Sequence, residues 1–248
     1  MMNTNQPAKV AIVTGASRGI GRAIAQRLAQ DGYAVAVNYA SSAGEADALV
    51  GAIREAGGKA LAVQADVSKP GDVRRMFEIT EREFGNVDVL VNNAGVMKPA
   101  PLADTPDALY DQTFDINVRG TFNTLREAAA RLNDGGRIVN FSTSVLALNL
   151  PGYGTYTATK AAVEAFTRVF AKELRGRNIT VNAVAPGPIA TALFLEGKTD
   201  EQIETFAKMP PLQRLGEPED VAGVVAFLVG PDAGWVNGQV LRANGGLA

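Results

Sequence analysis

Apolar residues along this chain alternate between two spacings. Short runs rich in Val and Ile recur at 10–13, 34–39, 60–64, 87–91, 137–141, 180–184 and 239–241. Each run is strand-sized, and its near-continuous apolar character fits a strand buried on both faces. Between the runs the spacing becomes helical. In "GIGRAIAQRLAQDG", Ile20, Ile24 and Leu28 stand four apart and the pattern stops at Gly32. In "DVRRMFEITEREFG", Val73, Phe77 and then Thr80 or Glu81 share a face that stops at Gly85. A further helix is expected over 155–175. This βαβ rhythm predicts an α/β fold, a doubly wound parallel β-sheet of about seven strands with helices on both faces.

One stretch breaks the rhythm. Residues 186–217 carry Pro186, Pro188, Pro210 and Pro211, with Pro218 just beyond, around an amphipathic piece at 200–208. Loops of this length in compact chains usually cover or build a site, so 188–217 is read as a substrate lid. Leu193, Phe194, Leu195, Phe206, Met209 and Leu212 suggest a mainly apolar pocket beneath it, although packing between lid and core would use the same residues equally well. No linker or internal repeat divides the chain, so 1–248 is read as a single domain with a flexible, polar start at 1–7.

Composition then narrows the chemistry. The 248 residues include no His and no Cys, which removes disulfides, thiolate catalysis and the commonest zinc ligands. Acid–base work falls to Tyr, Lys, Asp or Glu, and no metal is expected. A formal charge of -2 offers no basic field for a phosphate backbone, so nucleic acid is not an expected partner. The polar start lacks an apolar leader, and no later run approaches about 18 uninterrupted apolar residues. A soluble, cytoplasmic protein with no membrane partner is expected.

Two segments carry candidate chemistry. "TGASRGIG" follows the first strand, and its residues Gly15, Ser17, Arg18, Gly19, Ile20 and Gly21 are candidates for holding a pyrophosphate on N–H groups at a helix start, where the helix dipole favours negative charge. A glycine turn used only for packing would look the same. At the end of the second strand, "VNYASS" places Asn38, Tyr39, Ala40, Ser41 and Ser42 where an acid would otherwise pair with ribose hydroxyls and repel a 2′-phosphate. With Arg18 as a cation nearby, NADPH/NADP+ is favoured over NADH, unless Arg18 is only a solvated loop residue. The second segment is "YTATK". Tyr156 and Lys160 are neighbours on one helix face. An ammonium about 4 Å from a phenolate would stabilise it by up to about 4 kcal/mol at an effective dielectric near 20, or roughly three pK units. That would bring the phenol toward neutrality as a proton donor and acceptor.

Over nearly its whole length the chain resembles the short-chain dehydrogenase/reductase family. "TGASRGIG" matches the family's cofactor turn, "NNAG" at 92–95 its mid-sheet motif, Asn117 its helix asparagine, "YTATK" its active-site pair and "APGPIAT" at 185–191 its nicotinamide-side loop. The resemblance implies a Rossmann-type dinucleotide-binding catalytic domain. It further implies that Tyr156 exchanges a proton with the substrate oxygen, that Lys160 holds the nicotinamide ribose and lowers the tyrosine's pKa, and that Asn117 positions a water. Asp66 and Val67 would hold the adenine, Asn93, Ala94 and Gly95 would line the adenosine side, and Pro186, Gly187, Ile189 and Thr191 the carboxamide side. Plainer roles are open to some of these: Asp66 could cap the helix near Pro70, Asn92 and Asn93 could shape a strand-end turn, and Asn117 could be an ordinary helix polar residue.

The family's serine hydroxyl falls here on Thr143 in "FSTSV", with Ser142 and Ser144 as alternatives. Strand alternation favours Thr143 if the strand persists that far; otherwise Ser144 could turn inward. The implied function is an NADPH-dependent carbonyl reductase, reversible as an alcohol dehydrogenase, acting on a small-molecule ketone or secondary alcohol. The branches it looks like are naphthol reductase and 3-oxoacyl carrier-protein reductase. The second would need a basic patch at the entrance, for which Arg131, Arg137 and Lys198 are candidates. A nucleotide-binding regulator without turnover is the reading from another class. A homotetramer is implied, pairing through helices around 114–132 and 155–174, where Ala158, Ala161, Ala162 and Ala165 would permit close approach unless they face the sheet.

Overall fold

Every residue of Val10–Val13 is buried, and successive side chains enter opposite cores. Val10 and Ile12 pack with Met76, Phe77, Leu125 and Ile138, whereas Ala11 and Val13 pack with Ile24, Leu28, Val221 and Val225. That is the signature of a central strand covered on both faces. The structure, a computed structural model, describes residues 8–248; the expected flexible start at 1–7 lies outside the described residues.

The strands are β1 (Val10–Val13), β2 (Ala34–Tyr39), β3 (Lys59–Gln64), β4 (Val89–Asn92), β5 (Arg137–Phe141), β6 (Thr180–Pro186) and β7 (Val240–Ala243). They form one parallel sheet in the order β3-β2-β1-β4-β5-β6-β7. The connecting helices are α1 (Gly19–Gln30), α2 (Ala43–Glu55), α3 (Pro70–Phe84), α4 (Asp107–Phe114), α5 (Gly120–Arg131), α6 (Val145–Leu148), α7 (Gly154–Glu173), α8 (Ala192–Leu195), α9 (Asp200–Lys208) and α10 (Pro218–Val229). A π-helical segment, Asp115–Arg119, joins α4 to α5.

The doubly wound sheet agrees with the sequence reading. On α3 the ambiguity between Thr80 and Glu81 is resolved. Thr80 is buried and donates to the Met76 carbonyl at 2.8 Å, while Glu81 meets Arg131 at 2.7 Å. Strand order reverses between β1 and β4, whose successive connections run outward in opposite directions. A crevice therefore opens at the carboxyl ends of these two strands, the place where doubly wound sheets bind ligands.

The excursion after β6 is closed at its neck. Ile189 bridges Gly216, Ala190 donates to the Gly216 carbonyl at 2.8 Å and Gly216 donates to the Pro188 carbonyl at 2.9 Å. Between these points α8 and α9 stand over the carboxyl edge of the sheet. A Thr199–Gln202 capping box starts α9, and Phe194 and Phe206 pack edge to face with centroids 5.3 Å apart.

Phe77 is fully buried where α3 meets the sheet. Phe77→Ala is expected to lower unfolding free energy by about 3–5 kcal/mol, read from denaturant midpoints. A loss under about 1 kcal/mol would mean that this side of the core is not packed as described.

Candidate active site

The glycine turn after β1 is built by neighbours on both sides. Asn38, buried at the end of β2, accepts from the Gly15 amide through Oδ1 at 3.1 Å and donates to the Val63 and Ala65 carbonyls at 3.2 and 3.0 Å. Asn93 donates to the Thr14 and Gly15 carbonyls at 2.9 and 3.0 Å. The turn leaves no room for side chains: a Cβ on Gly15 would stand 2.9 Å from the Ala94 Cα, and one on Gly21 would stand 2.5 Å from the Asn93 Nδ2. Gly15 and Gly19 also have φ of 61° and 55°, in the left-handed region. Arg18 starts α1 with no side-chain cap, so the first-turn N–H groups remain for a ligand.

These residues line one end of a long cleft with Tyr39, Ala40, Ser41, Asp66, Val67, Ala94 and Gly95. Asp66 does not cap α3. Its carboxylate accepts from the Ser68 amide and hydroxyl at 3.0 and 2.7 Å, holding the loop after β3. Asn92 and Asn93 are likewise braces rather than turn formers, because Asn92 donates to Asn140 at 2.9 Å across β4 and β5.

The other end of the cleft holds Tyr156, Lys160, Thr143, Pro186, Gly187, Ile189 and Thr191, and Ile20, Asn93 and Gly95 line both ends. Lys160 is buried and donates to the Phe141 carbonyl at 2.8 Å, and its Nζ stands 5.7 Å from the Tyr156 ring centroid. A Cβ on Gly95 would come within 3.6 Å of the same Nζ. Asn117 sits behind the wall in the π-helical segment. Its Oδ1 accepts from the Val96 amide at 2.8 Å, and its Nδ2 donates to the Val96 carbonyl at 3.0 Å and to Thr159 at 3.1 Å. Its amide is thus occupied in clamping the loop after β4 to α7.

The three hydroxyls of "FSTSV" divide their partners. Ser142 donates to Glu164 at 2.7 Å, Ser144 donates to the Ala185 carbonyl at 3.1 Å, and Thr143, which accepts from the Val145 amide at 3.2 Å, lies close enough to Tyr156 to pull the phenol's pKa down. Thr143 is therefore the one aimed at the phenol, but not through strand alternation. The strand ends at Phe141, and Ser144, already in helical backbone, is held away from the phenol by its carbonyl acceptor.

Electrostatics reverses one expectation. Burial pushes the Tyr156 phenol up to about 12, against a downward pull from Thr143, and burial also brings the Lys160 ammonium down to about 8. Lysine does not bring the phenol toward neutrality here, because burial, the largest influence on the phenol, outweighs the pulls that would lower it. Tyr156 is neutral at pH 7.

Sequence reasoning missed much of the apolar wall. Val96, Met97, Val145, Leu148, Leu150, Tyr153 and Leu247 join Leu193, Phe194 and Phe206. Tyr153 had a signal, standing three residues before Tyr156 at the start of α7; Leu247 had none. Of the six apolar lid residues, Leu193, Phe194 and Phe206 line this pocket and Leu195, Met209 and Leu212 do not.

The lysine shift has a signed consequence. Its folded value lies below the unfolded one, so between about pH 8 and 10.5 the unfolded chain binds more protons and stability rises with pH. Relative to Lys160→Met, the wild type is expected to gain on the order of 3 kcal/mol across that window. Parallel denaturation curves at pH 7.5 and 10.5 read this, and a difference that does not move would show that the ammonium is not desolvated.

Comparison with known proteins agrees with this geometry. A family model described as Enoyl-(Acyl carrier protein) reductase matches residues 15–248. A short-chain type dehydrogenase/reductase of Picea abies is 47% identical, covering 96% of this chain and 92% of its own. The NADPH-dependent aldehyde reductase-like protein of Arabidopsis thaliana is 45% identical, over 96% and 93%. A short-chain dehydrogenase from Burkholderia cenocepacia, solved in complex with NADP, superposes with a TM-score of 0.92 at 39% identity, over 97% and 98%. With the glycine turn, the braced asparagines and the tyrosine–lysine pair all at one sheet edge, the chain belongs to the short-chain dehydrogenase/reductase family of oxidoreductases.

Proposed function

We propose that this protein is an NADP(H)-dependent carbonyl reductase, reversible as an alcohol dehydrogenase, in which Tyr156 is the proton donor and acceptor. The observation that carries the reading is the meeting of Tyr156, Thr143 and Lys160 in an apolar pocket continuous with a glycine-lined cleft. The residues present fit the dinucleotide. Gly15 and Gly21 have no space for a Cβ, the α1 start is uncapped, and residues 38–42 at the end of β2 carry no acid to repel a 2′-phosphate. The Arabidopsis relative, an NADPH-dependent aldehyde reductase-like protein, and the Burkholderia structure in complex with NADP support the same cofactor. Gly15, Ser17, Arg18, Gly19, Ile20 and Gly21 would hold the phosphates, Asp66 and Val67 the adenine, and Lys160 the nicotinamide ribose. When bound, the nicotinamide supplies or accepts the hydride.

The protein's own part is proton supply and polarisation. A phenol neutral at pH 7 is the form needed to protonate a carbonyl oxygen, and the Thr143 hydroxyl beside it gives that oxygen a second hydrogen-bond donor. Asn117 holds the Val96 peptide and Thr159, setting the height of α7 at the cleft. Residues 188–217 act as the lid, because Leu193, Phe194 and Phe206 face the pocket.

A second reading, a carrier-protein reductase, draws on the family model's description. The cations it needs are badly placed for it. Arg131 is engaged by Glu78, Glu81 and Glu127 at 3.5, 2.7 and 3.1 Å, and Arg137 bonds carbonyls at the amino end of β5, the sheet edge opposite the cleft. Lys198 lies near the pocket but donates to the Phe194 carbonyl. The small-molecule reading is preferred on this ground.

Assembly as a homotetramer is part of the proposal. Ala158, Ala161 and Ala165 are exposed on α7, not turned to the sheet, and Phe122 and Val169 are 46% and 55% exposed beside them. A face of small and apolar residues suits pairing of α5 and α7 with a second copy.

Two measurements test this. Tyr156→Phe is expected to lower the rate of NADPH oxidation with activated ketones by about 10²–10⁴-fold while calorimetry still detects NADPH uptake. Retained turnover would remove the proton role, and absent uptake in the wild type would remove the cofactor. For assembly, Ala161→Arg is expected to reduce the mass seen by light scattering to that of a smaller species; an unchanged mass would remove this face as an interface.

A further inference from the structure

Asn244, just past β7, is nearly fully buried and satisfies three groups at once. Its Nδ2 donates to the Ser144 hydroxyl at 3.0 Å and to the Ala248 carbonyl at 3.1 Å, and its Oδ1 accepts from the Gly246 amide at 3.0 Å. Ser144 passes the chain on, donating from its hydroxyl to the Ala185 carbonyl at 3.1 Å and from its amide to the Pro186 carbonyl at 2.9 Å. One amide side chain thus joins the loop after β5, the end of β6 and residues 244–248.

The same segment is fixed sterically. A Cβ on Gly187 would stand 2.9 Å from the Asn244 Cα, so β6 runs against it without a side chain between them. Gly245 and Gly246 turn the chain back with φ of 64° and 88°, and Cβ atoms there would stand 3.1 Å from Pro210 and 3.2 Å from Pro211 in the excursion after β6. Leu247 follows the turn, its amide donating to the Asn244 carbonyl at 3.2 Å, and it lines the pocket that holds Tyr156, Tyr153, Phe194 and Phe206. Lys160 is the one charged side chain lining this pocket among the described residues, and it is bonded to Phe141.

We propose that Leu247 is a specificity-determining residue, and Asn244 the positioning residue that holds it, so that together they limit the size of the apolar group a neutral carbonyl substrate carries. The proposal rests on the carbonyl-reductase reading. A side chain with three hydrogen-bonding neighbours around it cannot yield to a larger substrate as a free loop would, so a wall residue it carries acts as a size limit. Neutral apolar carbonyl compounds are the class this wall admits. Substrates bearing a carboxylate or phosphate on that side find no free cation.

The test uses the NADPH-loaded protein and a series of methyl ketones with methyl, propyl, hexyl and phenyl as the second group. Leu247→Trp is expected to lower kcat/KM for the bulkiest ketones by about 10- to 200-fold while changing the smallest less than about twofold. Leu247→Ala is expected to shift the preference toward the larger members. Asn244→Ala should blunt the size preference with NADPH affinity unchanged. Thermal melts establish that each variant folds. Equal losses across the series, or an unaltered preference in both Leu247 variants, would overturn the proposal. If the wild type reduces no ketone, the parent reading fails, and calorimetric binding of the same series decides the wall by itself. Weakening that grows with bulk in Leu247→Trp supports it; a size-independent effect, or no binding in any variant, removes it.

Discussion

The buried hydrogen bond from the Lys160 ammonium to the Phe141 carbonyl is the constraint on which the rest of this site depends. A cationic group in the interior is costly unless it is paired, so the inner face of α7 is held close to the end of β5. The helix carries other polar groups on that face, and each finds a partner from a different element. Thr167 accepts from Asn140 at 2.9 Å, and Thr159 accepts from Asn117 at 3.1 Å. A helix seated by hydrogen bonds rather than by interchangeable apolar contacts has little freedom to slide along its axis. Tyr156 stands one turn before Lys160 and inherits that precision.

Burial has a second effect on the same pair. It raises the phenol and lowers the ammonium, so each group moves toward its neutral form. The ammonium keeps its charge in its hydrogen bond to the Phe141 carbonyl, but the burial of the phenol outweighs the pulls that would lower it. Both shifts have burial as their largest cause.

The cleft itself follows from strand order. Because the strand order reverses between β1 and β4, the connections leave in opposite directions and open a crevice at the carboxyl ends, where the glycine turn can approach a ligand with backbone alone. Asn38 and Asn93 then lock the turn from β2 and β4, while the pocket wall is assembled from segments far apart in the chain, among them the loop after β5, the excursion after β6 and residues 244–248.

Much of this was legible in the chain. Local periodicity located β1, β2 and β5 at their observed bounds and α9 at 200–208, because strand and helix spacings are imposed by neighbours a few residues away. The glycine turn and the i, i+4 spacing of Tyr156 and Lys160 were equally local. Tertiary structure decided what depends on distant partners. Thr143 stands out from Ser142 and Ser144 only because Glu164 and Ala185 take the other two hydroxyls. The direction of the Tyr156 shift required the burial contributed by the whole pocket. Arg131 and Arg137 were candidates for a basic patch at the entrance until the fold set them against carboxylates and carbonyls away from the cleft. Leu247 carries no local mark at all, since a single leucine near a glycine pair becomes part of a wall only when the chain returns to it through Asn244 and Ser144, a hundred residues apart. A sequence states which side chains are available and how neighbours are spaced; desolvation and hydrogen-bond partnership are properties of the enclosure, and only folding creates it.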